Sequence, residues 1–378
     1  MQLPVDIGAV LEEAVNVEAA RAVPISVSVY VDPSAPGDVQ AHVRQAFASA
    51  SETARVSLIY LDGRRFEPNP DDDMAAIVAG LDERVGACAA ACRAAGVPTM
   101  VATTLPQLVA AIAKAAGNAI PEADIVAPKL TAKVYEHVST AAASAPAIGA
   151  SWGAPKPPQD GDVGIHEPIE LTEEARATLD ARMGAWVAAA CRGKRLAFAW
   201  AFPFVRRPLA LETVNATAVQ NAGVGLLFLI PGADLPVMTL NQAKMLLQIS
   251  AAYGQSIDAG RVRELAALVG GAFACRAVAR QLTAAVPVLG WAVKAAVGYS
   301  GTQAMGRAAI EYYAGGPTVA KFAEYVAGAR DKVVAAVAKQ AAGAAADNGA
   351  AAVDAVRQKA SDAVAGLRAK LGLSLIHI

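Results

Sequence analysis

Four groupings of side chains in this sequence have types and spacing that chemistry can use. The first is Asp32-Pro33-Ser34-Ala35-Pro36-Gly37-Asp38-Val39, directly after the alternating apolar and polar run Ile25–Val31. Loops at the carboxyl ends of parallel strands are where doubly wound domains hold phosphate. A phosphate loop needs two glycines for close backbone approach, then a Lys and a Ser or Thr to meet phosphate and Mg²⁺. Here only Gly37 fits, with Asp38 in the Lys slot and Val39 in the hydroxyl slot. Asp32 and Asp38 repel a triphosphate, so metal-bridged phosphate binding is the phosphate chemistry left to this loop. A GxGxxG dinucleotide signature is absent as well.

The second grouping, Val101-Ala102-Thr103-Thr104-Leu105-Pro106, ends another strand pattern. A guanine-reading edge would carry Asn-Lys-x-Asp at this place, and none of those residues is present. Any ligand at the strand ends therefore falls to Asp32, Gly37, Asp38 and Thr103. The third grouping, Asp71-Asp72-Asp73, is dense enough in carboxylate for a cation, but ahead of a helix it reads as a solvated N-terminal cap. The fourth is Cys88 and Cys92, which share a helix face with no His or second Cys pair beside them and read as small buried hydrophobes. His42, His137 and His166 are scattered and pair with no nucleophile, so the sequence calls for no catalytic residue, metal or cofactor.

Composition limits the class of molecule. Lys and Arg number 33 against 34 Asp and Glu in 378 residues, which excludes a broad nucleic-acid-binding surface. Hydrophobic residues make up 55% while aromatics are only 5%, so the apolar excess is small and aliphatic, above all Ala. That excludes a disordered chain and a disulfide scaffold. Four cysteines without framework spacing fit a reducing compartment. Met1–Val17 carries Asp6, Glu12 and Glu13 and lacks the pattern of a secretory signal, so the expected location is cytoplasmic, including the cytoplasmic face of a membrane.

The elements that must position these groups alternate in the first third. Strands are predicted at Ile25–Val31, Val56–Leu61, Val97–Ala102 and Ala123–Ala127, with helices at 38–50, 74–95 and 106–116. Alternation of this kind predicts a mostly parallel, Rossmann-like sheet covered by helices over residues 1–140. A Pro- and Gly-rich linker spans 141–170. Residues 171–317 read as an all-α domain, opened by Thr172 as a helix cap and broken near Pro208. An Ala-rich amphipathic helical tail follows over 318–372, its shallow seam suited to weak self-association. Residues 373–378, Leu-Ser-Leu-Ile-His-Ile, resemble a translated sequencing adapter.

The charge-free run Thr213–Ala233 approaches the length of a membrane span, yet it holds Asn215, Gln220 and Asn221. Gly298, Thr302 and Gly306 form a stripe of small residues that permits close helix contact in lipid or in water. A buried core and membrane association both account for these features.

Residues from about Arg195 to Tyr313 resemble the YcjF-like domain of unknown function 697. The resemblance rests on Phe202-Pro203-Phe204-Val205-Arg206-Arg207-Pro208, Asn215–Ala222, Ile230–Gln242, Ala251–Gly254, Val286–Trp291 and Tyr299–Gly306. Its most specific part is the stretch PGADLPVMTLNQ. Asn221, Pro231, Gly232, Asp234, Gln242, Gly254, Gly290, Gly301, Thr302 and Gly306 are the motif positions. What the resemblance implies is a helical architecture, a GTPase partner and peripheral membrane contact, with no reaction attached. The function expected is a non-enzymatic scaffold or regulator at the membrane surface. The alternative is a cryptic nucleotide- or small-ligand-binding α/β protein.

Overall fold

The computed structural model of the chain describes residues 7–48, 51–63, 65–128, 171–227, 235–255 and 290–315. The tail 318–372, the residues 373–378, and Pro231, Gly232 and Asp234 lie outside these.

Five strands form one all-parallel sheet: β1 (Ile25–Val31), β2 (Ala54–Tyr60), β3 (Met74–Val78), β4 (Thr99–Ala102) and β5 (Ile125–Val126). Their order is β2-β1-β3-β4-β5, the flavodoxin type of doubly wound sheet, with its switch point between β1 and β3. The ladder sets Val27 beside Val56 and Met74, and Tyr30 beside Ile59 and Ile77.

Helix α1 (Ile7–Arg21) precedes the sheet. On one face, Val27, Val29, Val31, Met74, Ala76, Val78, Met100 and Ala102 form a core with Val39, Val43 and Phe47 from α2 (Gly37–Ala46) and its end. Helices α5 (Glu173–Ala190) and α6 (Arg195–Ala201) join the same core through Leu179, Met183, Val187 and Phe198. The other face, with Tyr30, Ala75, Ile77 and Val101, is covered by α3 (Val85–Ala94) and α4 (Pro106–Ala115). Strands buried on both sides need apolar residues at every position, as in β3, where all five residues are buried.

That rule corrects one expectation. Residues 74–95 are not a single helix: Met74–Val78 is a central strand, and the helix begins only at Val85. A run of Met, Ala, Ala, Ile and Val carries neither a helical stripe nor a polar alternation, so periodicity does not separate the two. The expected break at Pro208 also moves. The chain breaks at Phe202, which is extended, and Pro208 lies inside α7 (Pro203–Leu227). Arg206 Nε donates to Ala199 O at 3.1 Å, satisfying a carbonyl at the end of α6. Pro208 has no N–H for the Phe204 carbonyl. That carbonyl instead faces Gly184 of α5, where any side chain would collide with it.

Helices α8 (Leu235–Ala252) and α9 (Gly290–Tyr313) complete the described elements. Two compact units emerge: Val17–Leu209 with Ala251–Gly254, and Met1–Asn16 with 210–250 and 255–378. Helices α5 and α6 thus belong with the sheet, although the sequence pattern assigned them to a separate helical domain from residue 171. The Pro- and Gly-rich stretch 141–170 is therefore bounded on both sides by parts of one unit. No helix among the described residues is long and apolar enough to cross a membrane.

Candidate functional site

The carboxyl edge of the sheet is where the fold would place a ligand. Asp32 sits at the end of β1, 1% exposed. Its Oδ1 accepts from Ser34 N and from Ser34 Oγ, both at 2.8 Å. Its Oδ2 accepts from Gly80 N at 2.8 Å and from Asp82 N at 3.2 Å. Ser34 Oγ in turn accepts from Leu81 N at 2.8 Å. Backbone amides gathered at a strand end are the usual cradle for an anion. Here the anion is the protein's own carboxylate. The β1 loop closes over β3 so tightly that a side chain at Gly80 would fall on the backbone of Ser34 and Ala35.

The other predicted ligand residues turn elsewhere. Asp38, in the first turn of α2, accepts from Leu171 N through Oδ2 at 2.7 Å and so fastens the chain entering α5. Gly37 opens α2 with free space around its Cα. Thr103, fully buried after β4, accepts from Leu105 N at 3.1 Å. Asp32 and Thr103 share the edge, with β3 between their strands; Asp32 ties the loops after β1 and β3 together, and Thr103 serves its own loop. Beside Thr103, the buried Thr104 Oγ1 has no hydrogen-bond partner among the described residues.

The sequence reading missed Ser34, Gly80 and Asp82. A signal was present: an apolar run closed by Gly-Leu-Asp, where a glycine follows the strand directly and an acid can start the next helix. Asp82 is bridged by Arg84, whose Nε donates to Asp82 Oδ1 at 3.0 Å. The hydrogen bond from Arg84 holds the Asp82 carboxyl below its ordinary range.

The acidic run Asp71–Asp73 does not cap a helix in solvent. Asp72 is buried and accepts from Ser26 Oγ at 2.6 Å, Asn69 Nδ2 at 2.9 Å and Arg55 Nη2 at 3.3 Å. Asp73 accepts from Ser26 N at 2.9 Å and pairs with Lys194 at 2.7 Å. These carboxylates tie the amino ends of β1, β2 and β3 together because β3, not a helix, follows them. No group of His, Cys, Asp or Glu among the described residues is placed to hold a metal ion. His42 meets Asp180 of α5 at 2.8 Å across the helical layer. Burial pushes the Cys88 and Cys92 thiols up to about 11, and Cys191 to about 12. Thiols held so far above neutrality are poor nucleophiles.

The motif residues of the helical unit converge on one hydroxyl. Thr302 Oγ1 donates to Gly298 O at 2.7 Å. It accepts from Asn221 Nδ2 at 2.9 Å and from Gln242 Nε2 at 3.0 Å. Asn221 Oδ1 accepts from Asn241 Nδ2 at 2.9 Å. One helix each of α7, α8 and α9 is thereby joined through fully buried polar groups, which are stable only when satisfied together. The glycines let the backbones approach: a side chain at Gly298 would press on Asn221 O, and one at Gly306 would strike Val214. Gly254 ends α8 with a positive φ of 76°. Gly290 opens α9. Gly301 faces open space, and nothing in the structure explains a glycine there.

Comparison with family models, with curated proteins and with solved structures finds no match to this chain.

Proposed function

We propose that this chain is a non-enzymatic scaffold or regulatory protein, acting beside a GTPase at the cytoplasmic face of a membrane. The observation that carries the non-enzymatic reading is the saturation of Asp32. The strand-end position that would take a phosphate is filled by a carboxylate with four internal donors. The motif residues of the helical unit likewise serve each other, which suits a module built to hold a shape. The GTPase and membrane parts of the reading come from the resemblance of the helical segment. Thermal unfolding of the full chain with 1 mM-scale GTP, ATP or dinucleotide tests it. Ligand at about a hundred times its Kd adds about 2.7 kcal/mol and raises Tm by several degrees. No shift is expected, and a clear rise overturns the reading. Flotation of the full chain with anionic liposomes tests the membrane part, which fails if the protein stays in the soluble fraction.

A second reading, a small-ligand site at the same edge, is favoured by the unpartnered Thr104 hydroxyl. The same thermal experiment decides between them.

A further inference from the structure

Parallel strands are usually joined by a crossover of a dozen or more residues that includes a helix. The connection from β2 to β3 passes over β1 through residues 61–73 with no helix in its described residues. Where a helix would fill the layer beside α3, the structure has a half-open pocket of about 530 Å³. That volume lies within the range of small-molecule sites, which are mostly apolar with a few placed polar groups. The floor is aromatic: Tyr30 and Phe66 meet edge to face at 4.8 Å. Ile59 and Leu61, and Ala87 and Ala91 of α3, also line the pocket. Ile59 is 41% exposed, a large apolar side chain that the described residues leave uncovered.

The rim carries the charge. Arg84 spends Nε and Nη2 on Asp82 and the Leu61 carbonyl. Its Nη1 makes no hydrogen bond among the described residues and lies beside Gly63 at the pocket mouth, where a side chain would begin 3.4 Å away. Arg65 is paired with Glu67 at 3.3 Å, and Asp62 also lines the rim. Among the described residues the rim sets two cations, Arg84 and Arg65, against three acids, Asp62, Glu67 and Asp82, so it takes no more than one negative charge, at Arg84 Nη1, and rejects a polyanion.

We infer that this pocket binds a small aromatic monocarboxylate, its ring on Phe66, Tyr30 and Ile59 and its carboxylate at Arg84 Nη1. The pocket adjoins the Asp32 edge through the Asp82–Arg84 pair but does not use the Asp32 carboxylate, so it stands whether or not nucleotides bind there. Calorimetric titration of the full chain with 1-naphthoate, 1-naphthylmethanol and 1-naphthyl phosphate tests it. Saturable binding of the carboxylate is expected, about tenfold or more tighter than the neutral alcohol and than the dianionic phosphate. Ala87 is exposed on α3, so Ala87→Trp should block the pocket and weaken binding by about tenfold or more without lowering Tm. Arg84→Gln should erase the preference for carboxylate over alcohol. Hydrogen exchange of the parent protein reads the same site without a variant: naphthoate should protect residues 59–67 and 84–91. Absence of saturable naphthoate binding, equal affinity for acid and alcohol, full affinity in Ala87→Trp, or protection elsewhere each overturns the assignment.

Discussion

Replacing Asp32 by Asn preserves the shape of the side chain and turns one acceptor oxygen into a two-proton donor. In either orientation that NH₂ faces two donors. Toward Ser34 it meets the Ser34 amide and hydroxyl; toward β3 it meets the amides of Gly80 and Asp82. The first orientation is the cheaper, because the hydroxyl can rotate and only Ser34 N is stranded. A hydrogen bond to a charged group is worth about 1.5–3 kcal/mol, and a stranded buried donor costs about 1–3 kcal/mol. Two charge-assisted bonds are lost and two are reduced to neutral strength, so the unit should lose about 3–5 kcal/mol. With a urea slope of about 2–3 kcal/mol per molar, the midpoint falls by about 1–2.5 M. Urea titration by far-UV circular dichroism reads the loss. Faster exchange of the Ser34 amide locates it. A variant whose midpoint stays within about 0.2 M of the parent would refute the reasoning, since Asp32 would then be a free carboxylate available to a ligand.

Three further outcomes follow from the packing. Thr302→Val removes the hydroxyl acceptor from Asn221 Nδ2 and Gln242 Nε2 and should cost about 2–4 kcal/mol in thermal or urea unfolding, whereas Thr302→Ser should cost under about 1 kcal/mol. Gly306→Ala places its methyl within 2.7 Å of Val214 Cγ1 and should destabilise by about 1–3 kcal/mol despite better helix propensity; Val214→Ala in the same chain should restore much of that, giving a non-additive cycle. In a Cys275→Ser background, native protein at pH 8 should react with a disulfide reagent at under about a hundredth of its unfolded rate. Raising the pH toward 11 should speed the reaction as the Cys88 and Cys92 thiols ionise.

The alternation of Ile25–Val31 is enough to read β1, and Gly96, with a positive φ of 80°, marks the end of the helical run of α3, because period and turn chemistry are local. The cap at Thr172 was legible for the same reason, and its hydroxyl accepts from Ala175 N. β3 was not, because a strand buried on both faces has no period to detect. The helical pattern of Glu173–Ala190 shows a helix but not its destination, since nothing local says that Leu179 and Met183 will join one core with Val29 and Met100. At the strand ends, the residue types of Asp32 and Asp38 could be read, but their partners could not. Asp32 is bonded to residues 48 and 50 positions away, and Asp38 to one 133 positions away. In the helical unit, a Gln at position 242 in line with Met238, Met245 and Ile249 needs a hydrogen bond when buried, and the structure supplies Thr302.

Part of one covering layer of the sheet, α5 and α6 beside α2, comes from beyond residue 170, and this makes the α/β unit a natural split protein. A cut anywhere between residues 128 and 171 divides it into two pieces that still match. Asp38 would hold Leu171 N, His42 would meet Asp180, and Arg182 Nη1 would donate to Ala127 O at 2.8 Å. Joined, these halves meet at an effective concentration of about millimolar; severed, they meet only at their own concentration. Co-expressed pieces should therefore reassemble. A piece beginning at residue 171 and made alone would present Phe198 and Phe202 to water, and its tendency to clump would say nothing about lipid.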